Sequence, residues 1–241
     1  MRLTHDLTAA PRDIFSESAT PETELGAKIV ASDGSVYRYV KAGASALVAG
    51  KLYDGPANVA NHTNIAVAAA AAAGASSVTV TLGATAATAN QYAGGYLVVN
   101  DEAGQGYAYK IKSNPAADAS ASLVLTLEAD SKLIKALTTS SEVTLVPNQY
   151  NGIIIHAATE TGVPVGVAVY DITAAYYGWV KTRGVASTLA DASPAGVGEA
   201  VCASASTAGA VTKLAVALCP IGYALAAHVS TEYNPTFLTI D

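Results

Sequence analysis

The chain reads as an all-β protein: a β-barrel or β-sandwich-like domain, interrupted by an inserted small β-barrel domain and preceded by an extended N-terminal arm. Three observations predict this. Two nearly identical strings, Tyr37-Arg38-Tyr39-Val40-Lys41 and Tyr177-Gly178-Trp179-Val180-Lys181, set aromatic and β-branched residues at alternate positions, which suits the two faces of a pleated strand. The run Val78-Thr79-Val80-Thr81-Leu82 alternates apolar with polar, as a half-buried strand does. Turn signals of Gly, Pro and Asp punctuate the rest.

Composition bounds the function. Of 241 residues, 51% are hydrophobic and only 13% charged, against about 25% charged in an average soluble protein. So little charge suits a surface that faces other protein. The apolar content is mainly Ala and Val, with one Trp and two Phe. Small side chains bury little area each, at about 25 cal/mol per Å2, so subunit or assembly contacts are expected to supply part of the stability. The 13 Lys and Arg are scattered and the net charge is −6, which excludes a phosphate-binding surface and hence nucleic acid. No run approaches the roughly 20 apolar residues of a membrane helix, so no membrane is expected. The start, Met1-Arg2-Leu3-Thr4-His5-Asp6, lacks the apolar core of a signal peptide, so a protein made and kept in a cytoplasm, or assembled there into something larger, is expected. Cys202 and Cys219 are expected as two buried thiols, a hairpin bridge being the alternative.

Residues 1–24 hold Pro11, Pro21 and four Thr with no sustained period. They predict an arm that orders on a neighbour. Phe15 is its candidate anchor, a fold-back onto its own domain the alternative, and Arg2 and Arg12 are further candidate contacts. From Leu25 the pattern is strand and turn: Lys28 to Ala31, a hairpin at Asp33-Gly34, then Val36 to Val40. Residues 61–148 differ in style. The alanine run 68–73 is read as strand or packed loop, because about nine residues before Gly74 are short for a marginal helix. Strands follow at Tyr96 to Asn100, Gly106 to Ser113, Leu123 to Leu127 and Glu142 to Val146, with helical turns at 88–93 and 132–137. The last third resumes the style of the first, with strands at Gly152 to His156, Val163 to Tyr170, Tyr177 to Lys181, Ala200 to Ala203 and Val211 to Leu218, and a helical turn at 171–175. Because the twin strings flank the middle block, residues 25–60 plus 149–241 are predicted to form one discontinuous domain, with 61–148 inserted. Three small domains in a row is the competing arrangement.

Reactive patterns are scarce. His5, His62, His156 and His228 lie far apart without ligand-like spacing. Gly104-Gln105-Gly106 has Tyr107 in place of further glycine and leads into a strand, unlike a dinucleotide loop. Asp101 with Glu102, and Glu128 with Asp130, read as solvated turn charges before a calcium loop. Tyr92, Tyr96, Tyr107 and Tyr109 read as barrel packing before a sugar platform. No catalytic residue, cofactor or metal is expected.

Several strings together resemble head proteins of tailed bacteriophages: Tyr37 to Gly50, Ala84 to Tyr96, Tyr177 to Gly184 and Thr236 to Asp241. They look like capsid decoration, or cement, proteins and other virion structural proteins. The resemblance implies a β-rich protein, often a homotrimer, on the outer face of the virion shell, with the major capsid protein as partner. A tail or fibre component with a glycan-binding β domain is the alternative.

Overall fold

A computed structural model describes residues 13–159, 161–215 and 220–241. Apart from two 3-10 turns, Asp13–Phe15 and Ala60–His62, its regular structure is all strand. In chain order these are β1 (Lys28–Val30), β2 (Val36–Ala42), β3 (Leu52–Asp54), β4 (Ile65–Ala66), β5 (Ser77–Thr81), β6 (Tyr96–Val99), β7 (Ala108–Ser113), β8 (Ser122–Leu127), β9 (Glu142–Val146), β10 (Asn151–Ile155), β11 (Pro164–Ala168), β12 (Tyr177–Leu189), β13 (Ala200–Ala203), β14 (Val211–Lys213), β15 (Gly222–Ala224) and β16 (Tyr233–Thr239). The chain divides into two compact units, Ala57–Asn148 and a discontinuous unit of the flanking segments up to Pro56 and from Gln149.

In the discontinuous unit ten strands run in the order β1-β2-β10-β3-β11-β12-β16-β15-β13-β14, and a further pairing of β2 with β12 closes β2, β10, β3, β11 and β12 into a ring. Val40, Tyr53, Ile153, Val165 and Val180, one from each ring strand, share its core. Alternation puts Leu52, beside Tyr53, and Val167, beside Ala168 and past the register shift between Pro164 and Gly166, on the opposite faces of β3 and β11. There they meet Ala186, Val201, Val211, Ala224 and Leu238 from the remaining sheet. That sheet curls back on itself through a parallel bridge between Ala190 and Val211. The strand β12 is common to both cores: its first half pairs with β2 and its second with β16.

The twin strings lie side by side in antiparallel register, Tyr39 opposite Trp179, Lys41 opposite Tyr177 and Lys181 opposite Tyr37. Their outer face is covered by residues 13–31. Ile14 and Ile29 are buried against Tyr37, Tyr39 and Trp179, Ser18 exchanges backbone hydrogen bonds with Tyr177 at 3.0 and 2.8 Å, and the Glu22 N–H donates to the Tyr39 hydroxyl at 3.1 Å. The described part of the expected arm therefore lies on its own unit. The buried Ile14 supplies the reason, since an apolar side chain one position from Phe15 gains more from the aromatic face of β2 and β12 than from water. The hairpin between β1 and β2 turns at Asp33-Gly34, whose carboxylate accepts from the Ser35 N–H at 2.9 Å and the Ser35 hydroxyl at 3.0 Å.

The other unit is a six-stranded sheet in the order β4-β9-β6-β7-β8-β5. A bridge from Val67 to Val80 joins its two ends and makes it barrel-like. Val78, Val80, Leu97, Ile111, Leu123, Leu125, Val143 and Leu145 fill it, all at positions that the period-2 pattern turns inward.

A four-residue corner recurs in both units. Leu47-Val48-Ala49-Gly50, Ala71-Ala72-Ala73-Gly74, Ala87-Thr88-Ala89-Asn90, Ala117-Asp118-Ala119-Ser120, Leu137-Thr138-Thr139-Ser140 and Ile172-Thr173-Ala174-Ala175 each precede a strand. Their first residues bond in reciprocal backbone pairs: Leu47 with Ile172 (2.8 and 3.1 Å), Ala71 with Leu137 (3.0 and 2.9 Å) and Ala87 with Ala117 (2.9 Å both ways). In five of the six the fourth residue has positive φ: Gly50 at 80°, Gly74 at 87°, Asn90 at 59°, Ser120 at 60° and Ala175 at 64°. This corner accounts for the three predicted helical turns that are not helices. Residues 88–93 form turns, 132–137 bends ending in a bridge, and 171–175 a bridge and a turn. At 88–93, short residues closed by Gly94-Gly95 read alike in both devices; the bridge between Ala87 and Ala117 decides between them. The alanine run is neither helix nor strand: it is a loop, mostly exposed, that touches the core at Ala71.

The corner geometry sets an order of stabilities. A Cβ at Gly74 would meet nothing within 4 Å, so Gly74→Ala carries left-handed strain alone and lowers unfolding free energy by about 1 kcal/mol. Gly74→Asn should lose less, because Asn tolerates that region. Ala175→Gly relieves strain already present and is expected to raise stability by up to about 1 kcal/mol. Urea denaturation of the three variants checks the order.

Candidate interaction surface

Phe15 lies at the end of the first 3-10 turn and is 52% exposed, although its neighbour Ile14 is buried. It lines one end of a groove of about 460 Å3 in the discontinuous unit, with Val169, Lys181, Val185, Ser187 and Tyr233 among the other walls. Val185 is 55% and Tyr233 49% exposed. At the far end a Cβ on Gly50 would stand 2.5 Å from the Tyr233 ring, so the left-handed glycine both turns the corner and admits the ring. Of the other predicted contacts, Arg2 and Arg12 lie outside the described residues.

The groove borders a wider apolar face. Cross-strand register aligns Tyr223, Phe237 and Val185 in one row across β15, β16 and β12, and Pro235 with Ser187 in the next. Leu225 donates its N–H to Pro235 at 3.0 Å and extends that second row. Tyr223, Leu225, Val185 and Tyr233 are all exposed. The opposite face of the same strands is core, through Ala186, Ala224 and Leu238. A soluble sheet ordinarily turns polar residues outward, and a contiguous row of exposed aromatic and aliphatic side chains marks a contact surface.

One cation sits at the base of the groove. The Lys181 side chain is buried, with its ammonium 5.0 Å from the centre of the Tyr37 ring and donating to the Val185 carbonyl at 2.7 Å. Lys41 rests over Tyr177 at 5.4 Å in the mirror position. Nearby, Arg38 forms a two-point pair with Asp241 at 2.6 and 2.9 Å, which holds the Asp241 carboxyl below its ordinary range.

Several groups of the kinds that serve in catalysis are packed inside. His156 donates from Nδ1 to Asp54 at 2.8 Å, both fully buried. His62 contacts the Thr85 carbonyl through Nε2 at 2.8 Å, which makes Nδ1 the acceptor for the Tyr92 hydroxyl. Burial pushes Tyr92 up to about 12. Ser204 donates to Asp191 at 2.7 Å within a buried cluster. His5 and Cys219 lie outside the described residues, and Cys202 is buried with its thiol 3.7 Å from the Lys213 carbonyl. Among the described residues no group of three or more His, Cys, Asp or Glu is placed to hold a metal ion, and no helix is long and apolar enough to cross a membrane. Of the four clustered tyrosines, Tyr92 and Tyr109 are core and Tyr107 packs against it, leaving Tyr96 exposed. No family model, curated protein or solved structure matches this chain.

His228 lies behind the apolar face. Its Nε2 reaches Thr236 Oγ1 at 3.3 Å and the Pro235 carbonyl at 3.4 Å, and its buried Nδ1 has no partner among the described residues. Burial lowers its proton affinity. The unfolded chain then binds the proton first, so stability is lost as pH falls below the ordinary imidazole value of about 6.5. His228→Phe should flatten the stability slope between neutral pH and mild acid, read by urea midpoints at each pH.

Proposed function

We propose that this chain is a virion structural protein that binds the outer surface of a phage capsid and stabilises the shell by clamping neighbouring capsid subunits, as a homotrimer. The observation that carries the reading is the apolar face of β12, β16 and β15 with Phe15 beside it. It is broad, built on strands whose other side is core, and lined by Tyr, Phe and Val, the side chains that supply contact energy at protein interfaces. The sequence resemblance to decoration proteins and the low charge point the same way. A clamp of this kind gathers affinity from many modest contacts over a wide footprint. Rigid strands hold those contacts in place before binding and so limit the ordering penalty.

Arg2 and Arg12 are proposed as further contacts to the shell. Because Ile14 and Ser18 are packed on the unit, the informative truncation ends at Arg12. Deleting residues 1–12 should weaken co-sedimentation with empty phage heads while leaving the thermal midpoint in place. The double substitution of Phe15 and Val185 by Ser should weaken it by about tenfold or more, in line with loss of two interface anchors. Heads that pellet both variants as well as the parent protein would overturn the reading, as would a parent protein that never pellets with heads.

A further inference from the structure

The strand β12 changes partners midway, and the change leaves part of one edge uncovered. On β16, Thr239 donates to Ile221 at 2.9 Å and Leu225 donates to Pro235 at 3.0 Å, so the odd-numbered residues of β16 face β15 and the even-numbered ones face β12. The register then gives Gly184, Ala186 and Thr188 of β12 to β16 and turns the backbone groups of Val185 and Ser187 the other way. On that other edge the pairing with β11 ends at Lys181, and the next backbone bond is from Leu189 to Gly50 at 3.0 Å. Between them the N–H groups of Val185 and Ser187 have no backbone partner among the described residues, while the Val185 carbonyl is held by the Lys181 ammonium. This open edge borders the groove between Phe15 and Tyr233.

We propose that the edge takes up an extended segment of a partner protein as an added strand, with a carboxylate of that segment seated at Lys181 and its apolar side chains against Phe15, Val185 and Tyr233. Alternate unpaired N–H groups select a strand over a helix, because only an extended backbone presents carbonyls at the matching repeat. The charge of the segment follows from Lys181, a buried ammonium with no carboxylate within salt-bridge distance among the described residues. In the absence of a partner the same lysine covers the edge, a common guard against unspecific strand pairing. The choice of a protein as occupant rests on the reading of the chain as a clamp.

The test is amide NMR of the full chain titrated with the peptide acetyl-Thr-Val-Asp-Val-Thr-amide. Saturable shifts at the Val185 and Ser187 amides are expected, with hydrogen exchange there slowed about tenfold or more at saturation. The peptide with Asn for Asp should bind about fivefold or more weakly, since it lacks the charge. The peptide with Pro after Asp should not bind, since it lacks an N–H and the strand conformation. Val185→Pro removes one edge donor and should abolish the response in a chain that still shows dispersed amide signals. No saturable shift up to about 5 mM peptide, or an equal response to all three peptides, overturns the proposal. Shifts of the same amides on dilution without peptide would assign the edge to a second copy and overturn it too. Head co-sedimentation is a separate readout, so failure of the clamp reading and failure of the added strand are distinguishable.

Discussion

The pairing of β2 with β12 holds the discontinuous unit together. Both strings carry Tyr, an aromatic two positions on, Val at the third and Lys at the fourth, so an antiparallel pairing centred on Tyr39 and Trp179 sets each lysine opposite the other string's first tyrosine. The rings of Tyr39 and Trp179 stand 5.0 Å apart, with a lysine over a tyrosine at either end. A slip by one residue would turn Val40 and Val180 out of the barrel core and the aromatic residues into it. The register is therefore fixed from both faces. This pair completes the ring, the 13–31 segment covers its outer face, and the pairing with β16 begins where β12 leaves β2.

The corners explain a composition that otherwise reads as weak. Alanine at the first position of a corner lets two backbones meet in a reciprocal bridge with little side chain between them, as at Ala87 and Ala117. Larger residues occupy that position where the core has volume to fill, as Leu47, Leu137 and Ile172 do at 1% exposure. Each corner starts a strand, and three bridges tie six strand entries together. Much of the Ala, Ser and Gly content thus serves close backbone approach, and the corners account for part of the low charge.

Local pattern made many of the strands legible, and with them the hairpin at Asp33-Gly34. The sequence boundary of the inserted block, 61–148, differs by a few residues from the compact unit Ala57–Asn148. Closure was not legible, because the pairing of β2 with β12 and the bridge from Val67 to Val80 join residues distant in sequence. The strand β16 was hidden by Pro235. Its nitrogen faces β15, where an odd-numbered residue points, so the ladder to β12 keeps all its donors. The continuation of β12 to Leu189 was hidden by Gly184, which reads as a stop. Phe15 was visible as an isolated aromatic, but its groove draws on segments near positions 15, 37, 50, 168, 185 and 233, a convergence that no local window contains.

The distribution of polar groups separates two roles inside one unit. Asp54 with His156, and Asp191 with Ser204, are buried and mutually satisfied. A buried donor or acceptor left without a partner costs about 1–3 kcal/mol, so each pair penalises any packing that separates its members and so specifies one arrangement of β3 against β10 and of the loops beside β13. Other groups keep capacity along β12: the N–H groups of Val185 and Ser187 at its open edge, and the buried Lys181 ammonium, which donates to the Val185 carbonyl and has no carboxylate within salt-bridge distance among the described residues. The open edge follows from a strand that must serve two sheets, since the pairing with β11 ends at Lys181 while β12 runs on beside β16. The same length of β12 that joins the two cores creates an edge that neither core can cover.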